Sequence, residues 1–278
     1  MSKATAASGA AIARACAGMR MNLFAALFCG AVLLLGAAPA SAQLIVLSST
    51  APGIKAGQVI ARSAALDIPD GASVVVVLPS GASRTVAGPF KGKAVDLTRG
   101  VSSNAALFAA VRKYVETGGT TTQHTGAMRS SVGPRLANGP ATKFSWQEIP
   151  VKAQGDICVE RGAQLAFVRA DKSSPLSVTV VNLNTTQRSK VQFGAGEASA
   201  PWPADLKAES GSFALLSAAM PMRQIRLRLI SPLPAPDQTL RVLHGQRCQL
   251  QFQAYLASMM AIGSVAAPPQ PAPAPQPR

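Results

Sequence analysis

Apolar segments in this chain are short, and no other feature limits its fold more. Beyond residue 43 most of them last roughly four to eight residues, the length range of strands, before Gly, Pro, Asn or Asp interrupts them. With 23 Gly and 21 Pro in 278 residues, long helices have little room. The expected class is mainly β (α+β), with a few short helices.

Residues 44–47 are the first such run, closed by turn residues at 48–53, and strand-like segments follow at 58–62, 65–68, 73–78 and 83–87. Between them, Pro69-Asp70-Gly71 is a turn with a mechanism: Pro presets φ, Asp accepts local hydrogen bonds, and Gly supplies positive φ. Val74 to Val77 are four β-branched residues in succession, expected in a strand buried on both faces. Pro79-Ser80-Gly81 makes the next turn, and Gly88-Pro89 ends the unit. An all-β unit this small is marginal by itself.

From residue 102 the period changes to 3.6, with Leu107, Phe108, Val111, Tyr114 and Val115 on one face. A helix over 103–117 is expected, capped by Ser102 or Ser103 and ended by Gly118-Gly119. Its apolar stripe is expected against the first β unit, the alternative being a partner's surface. Residues 118–143 are rich in Gly, Thr, Ser and Asn, include His124, Arg129 and Arg135, and read as a flexible linker.

A second unit spans 144–260, with strand-like runs at 164–169, 176–183, 189–193, 212–216 and 224–230. In the last, Ile225, Leu227 and Leu229 alternate with Arg226 and Arg228, the pattern of one buried and one wet face. Trp202, in Pro201-Trp202-Pro203, is expected on a loop that closes one end of the core. Asp237 is expected to cap a short helix to His244. Residues 248–260 fit a helix, although the Gln249-Gln251-Gln253 alternation also fits a strand. A β-sandwich-like domain with C-terminal helices results, followed over 261–278 by a Pro/Ala-rich tail expected to be extended and disordered.

Residues 1–42 contain Lys3, Arg14 and Arg20, no Asp or Glu, an apolar run at 23–35, and Ala40-Ser41-Ala42 at the end. This is the order of a cleavable secretory signal, whether translation starts at Met1, Met19 or Met21. The apolar stretch of about 16 residues is shorter than the ~20 of a spanning helix. No integral membrane span is therefore expected after cleavage, and the location is periplasmic or secreted.

Cleavage after Ala42 takes three of the 27 Lys and Arg and none of the 12 Asp and Glu, leaving a net charge near +12. It also removes Cys16 and Cys29 and leaves Cys158 and Cys248, for which a disulfide is the expected state in an oxidising compartment. A redox pair or metal site is the alternative, without a C-x-x-C or a histidine pair to support it. Closing a loop of about 90 residues contributes roughly 4–5 kcal/mol in the chain-entropy model.

The order Gly57-Gln58-Val59-Ile60, then Leu66-Asp67-Ile68-Pro69-Asp70-Gly71-Ala72-Ser73-Val74-Val75-Val76, then Ser80-Gly81 and Thr85-Val86-Ala87-Gly88-Pro89-Phe90, resembles the FecR-type domain of exported bacterial proteins. The resemblance covers residues 44–90 and, with the helix, marks 43–117 as a FecR-like β module. It implies a small β fold without catalytic residues. It also implies either a periplasmic signal receiver coupled to sigma factors or a secreted protein that binds cell-envelope material.

Catalytic patterns are sparse. Nucleophilic catalysis needs a base beside the nucleophile; His124 lies in the linker, His244 precedes a helix-ending glycine, and no G-x-S-x-G occurs. Acidic residues such as Asp67, Asp70, Asp156, Asp171 and Asp237 stand beside turns, a role that accounts for them. Metal-ligand clusters and phosphate-binding or dinucleotide loops are missing, so neither catalysis, a cofactor nor a metal is expected.

Binding is the remaining expectation. Arg226 and Arg228, two apart on one strand face, suit a carboxylate or phosphate, with Arg223 and Arg241 as further candidates; ordinary ion pairs on a solvated face are the alternative. Nucleic acid is not expected, because basic residues are not interleaved with aromatics and the chain is read as exported. The expected function is that of an exported, non-catalytic protein binding another envelope component, a protein or an anionic polymer. A sensory or regulatory receiver is the alternative.

Overall fold

Leu44 to Leu47 are fully buried, and alternate side chains along this run enter two different cores. The computed structural model describes residues 43–100, 102–118 and 143–262. The secretory signal expected at 1–42, nearly all of the linker expected at 118–143 and the tail beyond 262 lie outside the described residues.

The first module has six strands: β1 Leu44–Ser49, β2 Val59–Ile60, β3 Ala65–Ile68, β4 Ser73–Val77, β5 Ser83–Ala87 and β6 Phe90–Lys93. Four of them form an antiparallel sheet in the order β2-β1-β4-β5, and β3 pairs antiparallel with β6. Leu44 and Val46 of β1, with Val74 and Val76 of β4, pack against Leu66, Ile68, Val86 and Leu97 in one core. The opposite face of the sheet offers Ile45, Leu47 and Val77 to a second core. Val74 to Val77 thus lie in a strand with packing on both sides.

Helix α1, Ala105–Glu116, buries Leu107, Val111 and Tyr114 against that second face. Its cap is Asn104, whose side chain accepts the Leu107 N–H at 3.1 Å, in place of Ser102 or Ser103. A carbonyl one residue from the first turn reaches this orphan donor, which the earlier serines cannot do from outside the helix. The start of α1 is also tied to the Pro79-Ser80-Gly81 turn, because Asn104 N–H donates to Pro79 O at 2.8 Å. Gly81 has φ +84°, and a methyl group there would overlap Leu107. Glycine is required at this turn by both conformation and contact.

Eight strands build the second module: β7 Glu148–Pro150, β8 Gly155–Glu160, β9 Ala166–Val168, β10 Leu176–Asn182, β11 Arg188–Phe193, β12 Ser199–Pro201, β13 Gly211–Ser217 and β14 Met220–Ile230. A five-stranded sheet in the order β11-β10-β13-β14-β8 faces a three-stranded sheet in the order β12-β9-β7. The pairs β14/β8 and β7/β9 are parallel and the rest antiparallel. Phe167, Phe193, Phe213, Ile157 and Ile225 are among the side chains interleaved between the sheets. Trp202 follows β12, stacks on Phe167 at 5.2 Å, meets Phe213 edge-on at 5.2 Å, and donates its indole N–H to Leu206 O at 2.7 Å. It closes the core in the manner its two flanking prolines indicate.

Two helices follow, α2 Thr239–Gly245 and α3 Gln249–Ile262. Asp237 does not cap α2. It lies within a 3-10 turn, Pro236–Gln238, that leads straight into the helix, and its carboxylate accepts from the Gln238 side chain at 2.8 Å. With Gln238 already helical, an oxygen two residues before Thr239 is past the capping position.

The two modules share a core. Ile45, Leu47 and Val77 of the first, together with α1, pack with Ile230, Leu240, Leu243, Phe252 and Leu256 of the second. The Cys158–Cys248 disulfide lies in this same core, with Cα atoms 5.7 Å apart and both residues fully buried. It ties β8 to the residue before α3. Gln251 of α3 closes the outer edge of β8 like an extra strand. Its Oε1 accepts from Cys158 N–H at 2.7 Å, and its Nε2 donates to Cys158 O at 2.6 Å and to Ser145 O at 2.9 Å.

Candidate functional site

Side chains alternate along the strands of the five-stranded sheet, so the residues that fill the sandwich core also define what faces away from it. On β10, Val178 and Val180 point inward, which turns Ser177 and Thr179 outward; on β11, Val191 and Phe193 turn Arg188, Lys190 and Gln192 outward. The same parity puts Ser212, Ala214 and Leu216 of β13 and Gln224, Arg226 and Arg228 of β14 on the outer face.

The register aligns these residues in rows across the strands. Lys190, Thr179 and Leu216 form one row, Arg188, Val181, Ala214 and Gln224 the next, and Ser212, Arg226 and Asp156 a third. The result is a face with four cations, Arg188, Lys190, Arg226 and Arg228, separated by hydroxyl and amide side chains and by the apolar Val181, Ala214 and Leu216. Arg188 and Arg226 are three strands apart, about 14 Å laterally at about 4.8 Å per strand, and one row, about 7 Å, apart along the strands.

Two acidic residues occupy outward positions on β8, and both are engaged. Asp156 receives Arg228 Nε at 2.8 Å, with its carboxyl only 19% exposed. Glu160 accepts from the Gln147 amide at 3.1 Å. Arg226 is exposed and has no side-chain partner among the described residues, and the same holds for Arg188 and Lys190. At the far end of β14 and β8 this face is covered by the core that contains Ile230, Cys158 and the C-terminal helices.

The four arginines singled out from the sequence therefore separate. Arg226 and Arg228 share the outer face, Arg226 exposed and Arg228 half-buried in its ion pair. Arg223 has the opposite parity, lies across from Leu215, and donates Nη1 to Gln154 Oε1 at 3.0 Å. Its Nε is buried without a partner, so Arg223 belongs to the core side and not to the exposed set. Arg241 is exposed on α2, opposite the buried Leu240 and Leu243.

Arg188 and Lys190 were not candidates from sequence, although the Arg-Ser-Lys-Val-Gln-Phe alternation at 188–193 signals a strand with one basic face. Which strands would flank β11 is not written in that alternation. Without the neighbours, its cations do not combine with those of β14.

Other polar clusters are structural. Arg169 donates to three carbonyls, Glu197 O at 2.8 Å, Ser174 O at 2.6 Å and Gly194 O at 2.7 Å, and lies over the Phe193 ring at 5.1 Å. Asp171 is held below the usual carboxylate range by the Ser173 hydroxyl and the Ser173 N–H, the geometry of a turn. Burial raises Tyr114 and Tyr255 above the ordinary tyrosine value, and Tyr255 donates to Pro236 O at 2.9 Å. His244 packs against the Phe252 ring at 5.8 Å. Among the described residues no three His, Cys, Asp or Glu side chains converge on a metal position, and no helix is long and apolar enough to cross a membrane. No protein-family model, curated protein or solved structure matches the chain.

Proposed function

We propose that this is an exported, non-catalytic envelope protein that binds an anionic envelope component through the outer face of its five-stranded sheet. The observation that carries the reading is the gathering of Arg188, Lys190, Arg226 and Arg228 on one sheet face whose two acids are already engaged. Such a surface attracts polyanions over a range set by the Debye length, about 8 Å at physiological salt. Export is supported by the signal-like order of residues 1–42 and by the buried disulfide, a bond that persists in oxidising compartments.

The resemblance of residues 44–90 to FecR-type domains keeps a receiver role as the second reading. The packing of the first module favours the binding reading, because the sheet face carrying Ile45, Leu47 and Val77 is occupied by the protein's own helices.

The test is retention of the full chain, expressed with its own leader and folded with its disulfide, on immobilised polyphosphate and immobilised alginate. Retention at low salt and release by added NaCl are expected. The pair Arg188→Glu with Arg226→Glu should bind at least tenfold more weakly. Lys55→Glu with Arg84→Glu, an equal change in net charge on exposed residues of the first module, should stay within twofold of the unaltered protein. Equal losses in both pairs would reduce the effect to net charge and overturn the assignment to this face.

A further inference from the structure

Within the cationic face lies a shallow, open concavity of about 530 Å³ over the ends of β10 and β13. Ser177, Thr179 and Ser217 line it with hydroxyls, and Leu216, Ala218 and Ala219 with methyl groups. Lys190 is the direct cross-strand neighbour of Thr179, and Gln192 that of Ser177. Both project from the same face and are exposed, so the border toward β11 carries an ammonium group and an amide.

This mixture is specific in chemical terms. A bare polyphosphate offers only charged oxygens and has no use for a methyl-lined floor. An anionic lipid surface rewards apolar side chains that protrude and become buried, whereas Leu216 is half-buried in a depression. A sugar ring has C–H faces for Leu216 and the two alanines, hydroxyls at its edge for Ser177, Thr179 and Ser217, and, in a uronic acid, a carboxylate for Lys190. Neighbouring units of such a chain would meet Arg188, one outward position along β11 and about 7 Å away, and Arg226 beyond it.

We infer that this concavity seats one uronic-acid unit of an acidic glycan, with Lys190 pairing with its carboxylate and Ser177 and Thr179 bonding its hydroxyls. The inference rests on the cationic-face reading and adds the ligand class to it.

The test measures binding of the full chain to alginate oligosaccharides and to polyphosphate by titration calorimetry. Thr179→Trp fills the concavity and should weaken alginate binding at least tenfold while leaving polyphosphate within twofold. Thr179→Val keeps the β-branched shape that suits a strand and removes the hydroxyl; a three- to tenfold loss for alginate alone is expected. Alginate binding unchanged in both variants, with polyphosphate also bound, would overturn the seat and leave the cationic face standing. Binding of neither polyanion by the unaltered protein would overturn both.

Discussion

Gln251 lies on a helix yet completes a sheet. Its amide supplies one acceptor and one donor to Cys158, as a neighbouring strand would, and its second N–H goes to Ser145. At 3% exposure, water is not available to replace it. Gln251→Leu keeps the volume and strands the Cys158 N–H and C=O. Each unsatisfied buried group costs about 1–3 kcal/mol, so a loss of about 2–6 kcal/mol is expected in urea unfolding. A loss under about 1 kcal/mol would show that the β8 edge finds other partners. The alternation of glutamines at 249–253 carried this residue in the sequence, but fitted helix and strand alike. The deciding fact is the edge of β8, about 90 residues earlier in the chain.

Among elements, α1 and the turn before it act as one piece. The turn glycine approaches Leu107 so closely that no Cβ fits, and its positive φ is itself unfavourable for a side chain. Gly81→Ala is expected to cost at least about 2 kcal/mol through conformation and overpacking together. In a Leu107→Ala background the same change should cost measurably less, because only the conformational part remains. Equal costs in both backgrounds, read from a double-mutant cycle, would remove the steric contact from the explanation. Both the helix and the turn were legible from local signals, a 3.6 period and a Pro-Ser-Gly sequence. The cap was displaced from Ser102 or Ser103 to Asn104, because capping depends on where the first turn begins. That point is set by the hydrogen bond from Asn104 to Pro79.

For the whole molecule, the disulfide and the shared core make one prediction. Cys158–Cys248 closes a separation of 90 residues within the core that also receives β1, β4 and α1. Breaking it with Cys158→Ser and Cys248→Ser should cost about 2–5 kcal/mol. The first module should be lost with the second, in a single urea transition seen alike by far-UV circular dichroism and tryptophan fluorescence. Both tryptophans, Trp146 and Trp202, belong to the second module, so a circular-dichroism transition separated from the fluorescence one would show the modules unfolding independently.

Short apolar runs, turn chemistry and the count of cysteines determined the mainly β class, most strands, the first helix and the disulfide, because each is decided by neighbours in sequence or by elimination. Alternation along 224–230 likewise determined that Arg226 and Arg228 face away from the core. Tertiary structure decided which strands lie side by side, and therefore that Arg188 and Lys190 join Arg226 on one face while Arg223 turns to the other. It also decided that Asp156 takes Arg228 and leaves Arg226 exposed. Strand order and register are long-range choices, set by how both sheets and the helices bury their apolar faces together, and a local pattern holds no record of them.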